Sequence, residues 1–278
     1  LDTARLLLNN KGNLLKTLIY IILFYVAFLG VNYLFQDRLI FFPEKLTKNY
    51  PFTLPPFAKE LTLKTRDGID INGILYQLPA NKEIVIYFHG NAGSLVGWKD
   101  VSNQFLALDY NFLIIDYRGY GKSAGTFSEK GFYADGEAAY EYAKKLGYQD
   151  NQIIFYGRSL GTGIAIEMAI RHPVKGLILE TPFTNLSAIA MKTHWYLLPT
   201  ILLRYKFNNL QKASALKIPV LILHGYDDEL IPFYHSQKLN DALLAPHTLI
   251  AIPHGNHNNL ESFPQHNNAI KQFLENLP

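Results

Sequence analysis

Six short, largely apolar runs, at residues 84–88, 112–116, 153–156, 177–179, 220–223 and 248–252, alternate with longer helical patterns along this chain. Strands that read as unbroken apolar segments are buried on both faces, and that requires a parallel sheet with helices above and below it. Ahead of them Glu60–Arg66 alternates apolar and polar residues, Asp67-Gly68 supplies a turn, and Ile69–Tyr76 resumes strand character. This is a hairpin by its turn chemistry. The fold class expected over residues 59–278 is therefore α/β, with a mostly parallel eight-stranded sheet and helices on both faces. A chain of 278 residues that is 49% hydrophobic can bury one such core and still carry an appendage.

The appendage lies at the N-terminus. Leu14–Phe35 is broken only by Lys16, Thr17 and Asn32, is apolar on all faces, and is long enough to cross a bilayer with some tilt. A cleaved signal peptide would have a shorter apolar region and a small-x-small site, for which Ala27-Phe28-Leu29-Gly30 is a poor match. The division expected is a short tail over 1–13, a transmembrane anchor over 14–35 and a connector over 36–58 that packs on the domain. That connector carries too many aromatics for a solvated linker. Arg5, Lys11 and Lys16 precede the span and Arg38, Lys45 and Lys48 follow it, so the bases orient it only weakly. The orientation favoured is N-terminus in, with the folded domain outside the cytoplasm.

Composition removes several classes of function. The chain has no cysteine, which excludes disulfides, thiolate zinc sites and a thiol nucleophile. Its net charge of +3 is small and no basic stripe is present, which argues against nucleic acid as a partner.

Gly157-Arg158-Ser159-Leu160-Gly161 reads G-x-S-x-G, between the apolar run Ile153–Tyr156 and a helical pattern that starts at Thr162. The bare pattern arises by chance in roughly one chain in ten of this length. Its setting is more specific: a strand-to-helix elbow projects the serine hydroxyl from a strained turn, and flanking glycines leave that turn room. A serine needs a base to take its proton, and in this architecture the partners follow in the order Ser, Asp or Glu, His. The run Val220–Leu223 leads into His224-Gly225-Tyr226-Asp227-Asp228-Glu229, where Asp227, Asp228 and Glu229 compete for the acidic role. After the last apolar run comes His254-Gly255-Asn256-His257. His257 follows a Gly-containing loop and is the base expected, with His254 as its rival. His254-x-x-His257 lacks a helical frame and a third ligand, so no metal is expected. His89 and His224 each precede glycine at a strand end and are read as turn-fixing. Two backbone donors are expected for a developing oxyanion, the N–H of Leu160 behind the serine and that of Asn91 in His89-Gly90-Asn91-Ala92-Gly93. Residues 185–216, with Pro199 inside an apolar stretch, are read as a pair of helices inserted over the sheet's carboxyl edge as a small cap.

In this order the segments HGNAG, DYRGYGKS (116–123), GRSLGTG, LETPF (179–183), HGYDDELIP and HGNHN resemble the α/β-hydrolase superfamily. They are most similar to its membrane-anchored branch, typified by the yeast bud-emergence protein. The resemblance covers roughly residues 36–278 and extends to Arg38-Leu-Ile-Phe-Phe-Pro43. It implies Ser159 as nucleophile, Asp228 as acid and His257 as base, an ester or thioester of an acyl, lipid or acylated-protein substrate, and no cofactor. Thr162 stands where a third glycine often follows and is expected to crowd the elbow and narrow the acyl site; His257-Asn258 replaces the commoner His-Asp. A prolyl-peptidase-type activity is the alternative, without the large filtering domain such enzymes carry. A catalytically silent, membrane-tethered binding protein is the other.

Overall fold

The computed structural model describes residues 2–79 and 83–278. The side chains of the first twelve residues, Arg5 and Lys11 among them, lie outside the described residues. Eight strands form the sheet: β1 (Ala58–Lys64), β2 (Asp70–Tyr76), β3 (Ile84–Phe88), β4 (Asn111–Ile115), β5 (Ile153–Arg158), β6 (Gly176–Glu180), β7 (Val220–Gly225) and β8 (His247–Ile252). Their order is β8-β7-β6-β5-β3-β4-β2-β1, and β2 alone runs against its neighbours. The sheet is thus mixed, parallel from β8 through β4.

Side chains alternate across this sheet, and each face finds its own cover. Ile84, Ile86 and Phe88 join a cluster with Phe132, Ile164 and Leu239, whereas Val85 and Tyr87 join Phe105, Ile270 and Leu274 on the other face. Both sets are fully or nearly fully buried, which is why β3 to β6 carry amide or charged residues only at their ends, Asn111, Arg158 and Glu180.

The first helix, α1 (Asp2–Leu34), is a single element. Residues 2–13, expected as a short tail, are helical and run into the span, since no proline interrupts them and one glycine, Gly12, is tolerable. Its Asn13–Leu34 portion has a mean hydropathy of 2.3 and is unburied. After Phe35 a short helix, α2 (Gln36–Ile40), opens the connector. Beyond it Phe42–Pro43 pairs in parallel with Ala92–Gly93, and Phe41 packs edge-on against Tyr205 at 4.7 Å. Among the helices of the domain are α3 (Glu129–Lys145), α4 (Leu160–Arg171), α5 (Leu186–His194), the short α6 (Pro199–Leu202), α7 (Tyr234–Ala242) and α8 (Pro264–Glu275). Between α5 and α6 the chain turns through Leu198 at φ 49°, with Pro199 at the start of α6 where its missing N–H costs nothing.

Candidate active site

β5 ends at Arg158 and α4 begins at Leu160, leaving Ser159 alone between them at φ 51° and ψ −116°. Such a conformation is strained for a residue with a Cβ. Packing on both sides enforces it. A Cβ on Gly157 would lie 2.5 Å from the Gly161 carbonyl oxygen, and one on Gly161 would lie 2.0 Å from that of Phe88. The Ser159 N–H donates to the Glu180 carbonyl on β6 at 2.9 Å, fastening the turn to the neighbouring strand.

Ser159 Oγ sits 3.0 Å from His257 Nε2, and His257 Nδ1 lies 2.8 Å from Asp228 Oδ2. A carboxylate only accepts, so Nδ1 carries the proton and Nε2 is left free to accept from the serine. Asp228 Oδ1 takes the N–H groups of Ile231 at 2.7 Å and Leu230 at 3.0 Å. Burial pushes the Asp228 carboxyl up, but the hydrogen bonds from His224 and His257 more than reverse this and hold it well below the usual carboxylate range. The rivals fall away on geometry. His254 is exposed, with Asp227 at 3.7 Å, and neither meets the serine.

Asn91, Ser159 and Leu160 line one cavity of about 250 Å³. Among the described residues, neither the Asn91 nor the Leu160 N–H donates to a protein acceptor. The loop carrying Asn91 is held firmly. Tyr117 and Tyr120 hydroxyls donate to the carbonyls of His89 and Asn91, each at 2.7 Å, and the Asn91 amide donates to Ile40 in α2. His89 Nδ1 bonds the Gly90 carbonyl at 2.6 Å, the turn-fixing role its position suggested. Thr162 departs from expectation. Its hydroxyl is buried and donates back to the Ser159 carbonyl at 2.6 Å, within the first turn of α4, and it does not line the cavity.

Two supporting groups escaped the sequence reading. His224 does more than fix a turn: its Nε2 lies 2.7 Å from the Ile231 carbonyl and 3.2 Å from Asp228 Oδ2, and its Nδ1 meets the Ser236 hydroxyl at 2.6 Å. Behind the elbow Arg158 approaches Glu180 at 3.3 Å and donates to the His257 carbonyl at 3.3 Å, while Tyr156 donates to Glu180 and His266 stands 3.6 Å from it. Burial raises the Glu180 carboxyl, and Arg158, then His266 and Tyr156, bring it down to about 2. Nothing in the spacing of Arg158, Glu180 and His266 announces their meeting. Among the described residues no cluster of His, Asp and Glu is arranged to hold a metal.

A family sequence model described as serine aminopeptidase, S33, matches residues 79–210. An uncharacterized protein of Mycobacterium tuberculosis is 29% identical over 245 residues, which cover 86% of this chain and 87% of that protein. Alpha/beta hydrolase domain-containing protein 17B of Homo sapiens is 32% identical over 205 residues, covering 70% of this chain and 67% of that one. An esterase of Pyrococcus furiosus superposes with a TM-score of 0.69 at 20% identity, over 86% of this chain and 97% of the esterase. The ferulic acid-bound esterase Est1E of Butyrivibrio proteoclasticus gives 0.65 at 22% identity, over 78% and 98%. The two structures speak for the fold, and the sequence relationships carry the family. With a serine on a strand-to-helix elbow and this sheet order, the chain belongs to the α/β-hydrolase family of serine hydrolases.

Proposed function

We propose that the chain is a membrane-anchored hydrolase that cleaves carboxylic ester or thioester bonds of acyl or lipid-like substrates, with Ser159, His257 and Asp228 as its triad. The observation that supports this most is the lining of the cavity at Ser159. Leu39, Phe42, Phe183, Ile189 and Leu230 stand around it, and none of its lining residues is an Asp or Glu. A peptidase that trims free amino termini needs an anion near the nucleophile to hold the ammonium group. An apolar wall suits an acyl chain instead. The name of the matched family model keeps an aminopeptidase as the second reading, and this lining weighs against it.

In the proposed reaction the Ser159 hydroxyl gives its proton to His257 Nε2 as Oγ bonds to the substrate carbonyl carbon. Charge moves onto the carbonyl oxygen, which the Asn91 and Leu160 N–H groups receive. Collapse of this intermediate breaks the carbon–oxygen or carbon–sulfur bond, and the imidazolium returns its proton to the leaving group. Water, deprotonated by His257, then releases the acid by the same steps. Asp228 holds the imidazole tautomer and offsets its transient charge.

The length and bare apolar surface of Asn13–Leu34 support the anchor, and the basic residues flanking it favour a catalytic domain outside the cytoplasm. Alkaline carbonate should leave the full chain in the membrane pellet, with the domain open to protease only from the extracytoplasmic side; extraction into the supernatant would defeat the anchor. On p-nitrophenyl esters, kcat/KM should climb with acyl length, and a sharp preference for acetyl would defeat the lipid-like assignment. Ser159→Ala should lose fluorophosphonate labelling and at least about 10³-fold in kcat. Labelling that persists in that variant would remove Ser159 from the mechanism and reopen the binding-protein reading.

A further inference from the structure

A second cavity, of about 390 Å³, lies between α1 and the α5–α6 segment, with Phe28, Leu29, Leu197 and Leu202 in its wall. It shares Leu39, Ile40, Ala190, His194 and Leu203 with the cavity at Ser159, so the two abut along a common and largely apolar partition. The helix and the segment are tied together: the Tyr25 hydroxyl donates to the Tyr196 carbonyl at 2.6 Å, and the Gln36 amide donates to that of Leu202 at 2.8 Å.

The two amides and the imidazole on this lining are engaged elsewhere, while Tyr33 and Tyr196 are themselves partly exposed. Gln36 also accepts from the Arg204 N–H at 3.0 Å, Asn32 donates back to Phe28 at 2.8 Å, and His194 shares a hydrogen bond with Thr193 at 2.6 Å. A wall whose amides already serve backbone partners offers little to a polar ligand and suits a hydrocarbon. Next to the lining residues Tyr196 and Leu202 in the chain, Trp195 and Ile201 are 65% and 74% exposed, and the Asn13–Leu34 portion of α1 is unburied. Apolar surface of this extent beside a membrane-spanning segment belongs in lipid.

From this adjacency we infer that α1 and α5–α6 form a portal, open when the shared side chains part, through which one fatty acyl chain already dissolved in a bilayer brings its ester or thioester carbonyl to Ser159. The inference rests on the serine-hydrolase reading above and adds that the anchoring helix is itself a wall of the substrate site. The chain never passes through water, so its hydrocarbon stays buried from bilayer to nucleophile.

The test uses the full chain in proteoliposomes, treated with a long-chain alkyl fluorophosphonate that bears a diazirine near the end of its chain. Once Ser159 is captured, irradiation should cross-link the chain end to residues 28–33 or 195–203. Cross-links confined to other segments would overturn the portal and leave the hydrolase reading standing; absence of Ser159 labelling would bring down both. Independently, Leu197→Trp fills the outer cavity. It should lower the ratio of hexadecanoyl to acetyl ester kcat/KM at least about tenfold, a comparison made within one preparation. A ratio within about twofold of the wild type would overturn the portal. Acylglycerols and S-acylated cysteine peptides carry the same chain, and vesicles loaded with one or the other identify the donor. Hydrolysis of either supports the portal, and hydrolysis of neither overturns it.

Discussion

Two imidazoles converge on the Asp228 carboxyl, His257 at 2.8 Å and His224 at 3.2 Å, while two backbone N–H groups hold its other oxygen. The carboxyl is therefore fixed in orientation before any substrate arrives, and on the proposed mechanism its charge is what sets the His257 tautomer. Asp228→Asn keeps the shape and removes the charge, so kcat should drop by about 10³- to 10⁴-fold with fluorophosphonate labelling slowed in parallel. Unchanged labelling kinetics would mean that His257 is oriented by something else. The apolar runs of the sequence point to the neighbourhoods of Ser159, Asp228 and His257, which the structure brings together, but the choice of Asp228 among three neighbouring acids rested on the family resemblance. His224 was only half legible, since the run shows where it stands but not that its ring reaches over the next turn. Thr162 was misjudged because its effect depends on which way a side chain in the first turn of a helix points, and spacing alone does not say.

At the level of elements, the elbow depends on contacts between parts far apart in the chain. Gly161 of α4 rests against the carbonyl of Phe88 at the end of β3, so close that a methyl group there would sit 2.0 Å from that oxygen. Gly161→Ala must part β3 from α4, and it should cost more than about 4 kcal/mol or prevent folding, measured by denaturant unfolding. A loss under about 1 kcal/mol would show that the elbow can open without harm. The strands themselves were legible to within a residue or two, because burial on both faces leaves an unbroken apolar signature. The segment after β6 was less so. Its pair of helices resolves into α5, a turn at Leu198 and the short α6, a break governed by Pro199 and a left-handed residue that no periodicity reveals. The start of α1 was hidden for the opposite reason, since hydropathy marks where a membrane span begins but not where a helix does.

Across the whole molecule, stability should answer to pH through the group behind the elbow. Glu180 titrates at about 2 in the folded chain against about 4.3 when unfolded, so its contribution is complete above that unfolded value and disappears as pH falls through about 2. Burial lowers the His266 imidazole, and Glu180 more than compensates by raising it; that contribution is complete below about 6.5 and fades as pH rises through the raised value. The pair is thus strongest between roughly pH 4.3 and 6.5. Glu180→Gln should cost about 3–5 kcal/mol there and flatten the acid limb of a Tm-against-pH curve; an unaltered limb would remove the pair from the account. None of this was legible in the sequence, because it arises where three strands and α8 meet. The same meeting has a consequence for the life of the protein. The turn at Ser159 is held by β3, β5 and β6 together, so on the proposed chemistry a copy in which these strands are not side by side is inert. The fraction of molecules that accept a fluorophosphonate then becomes a direct count of those that have matured.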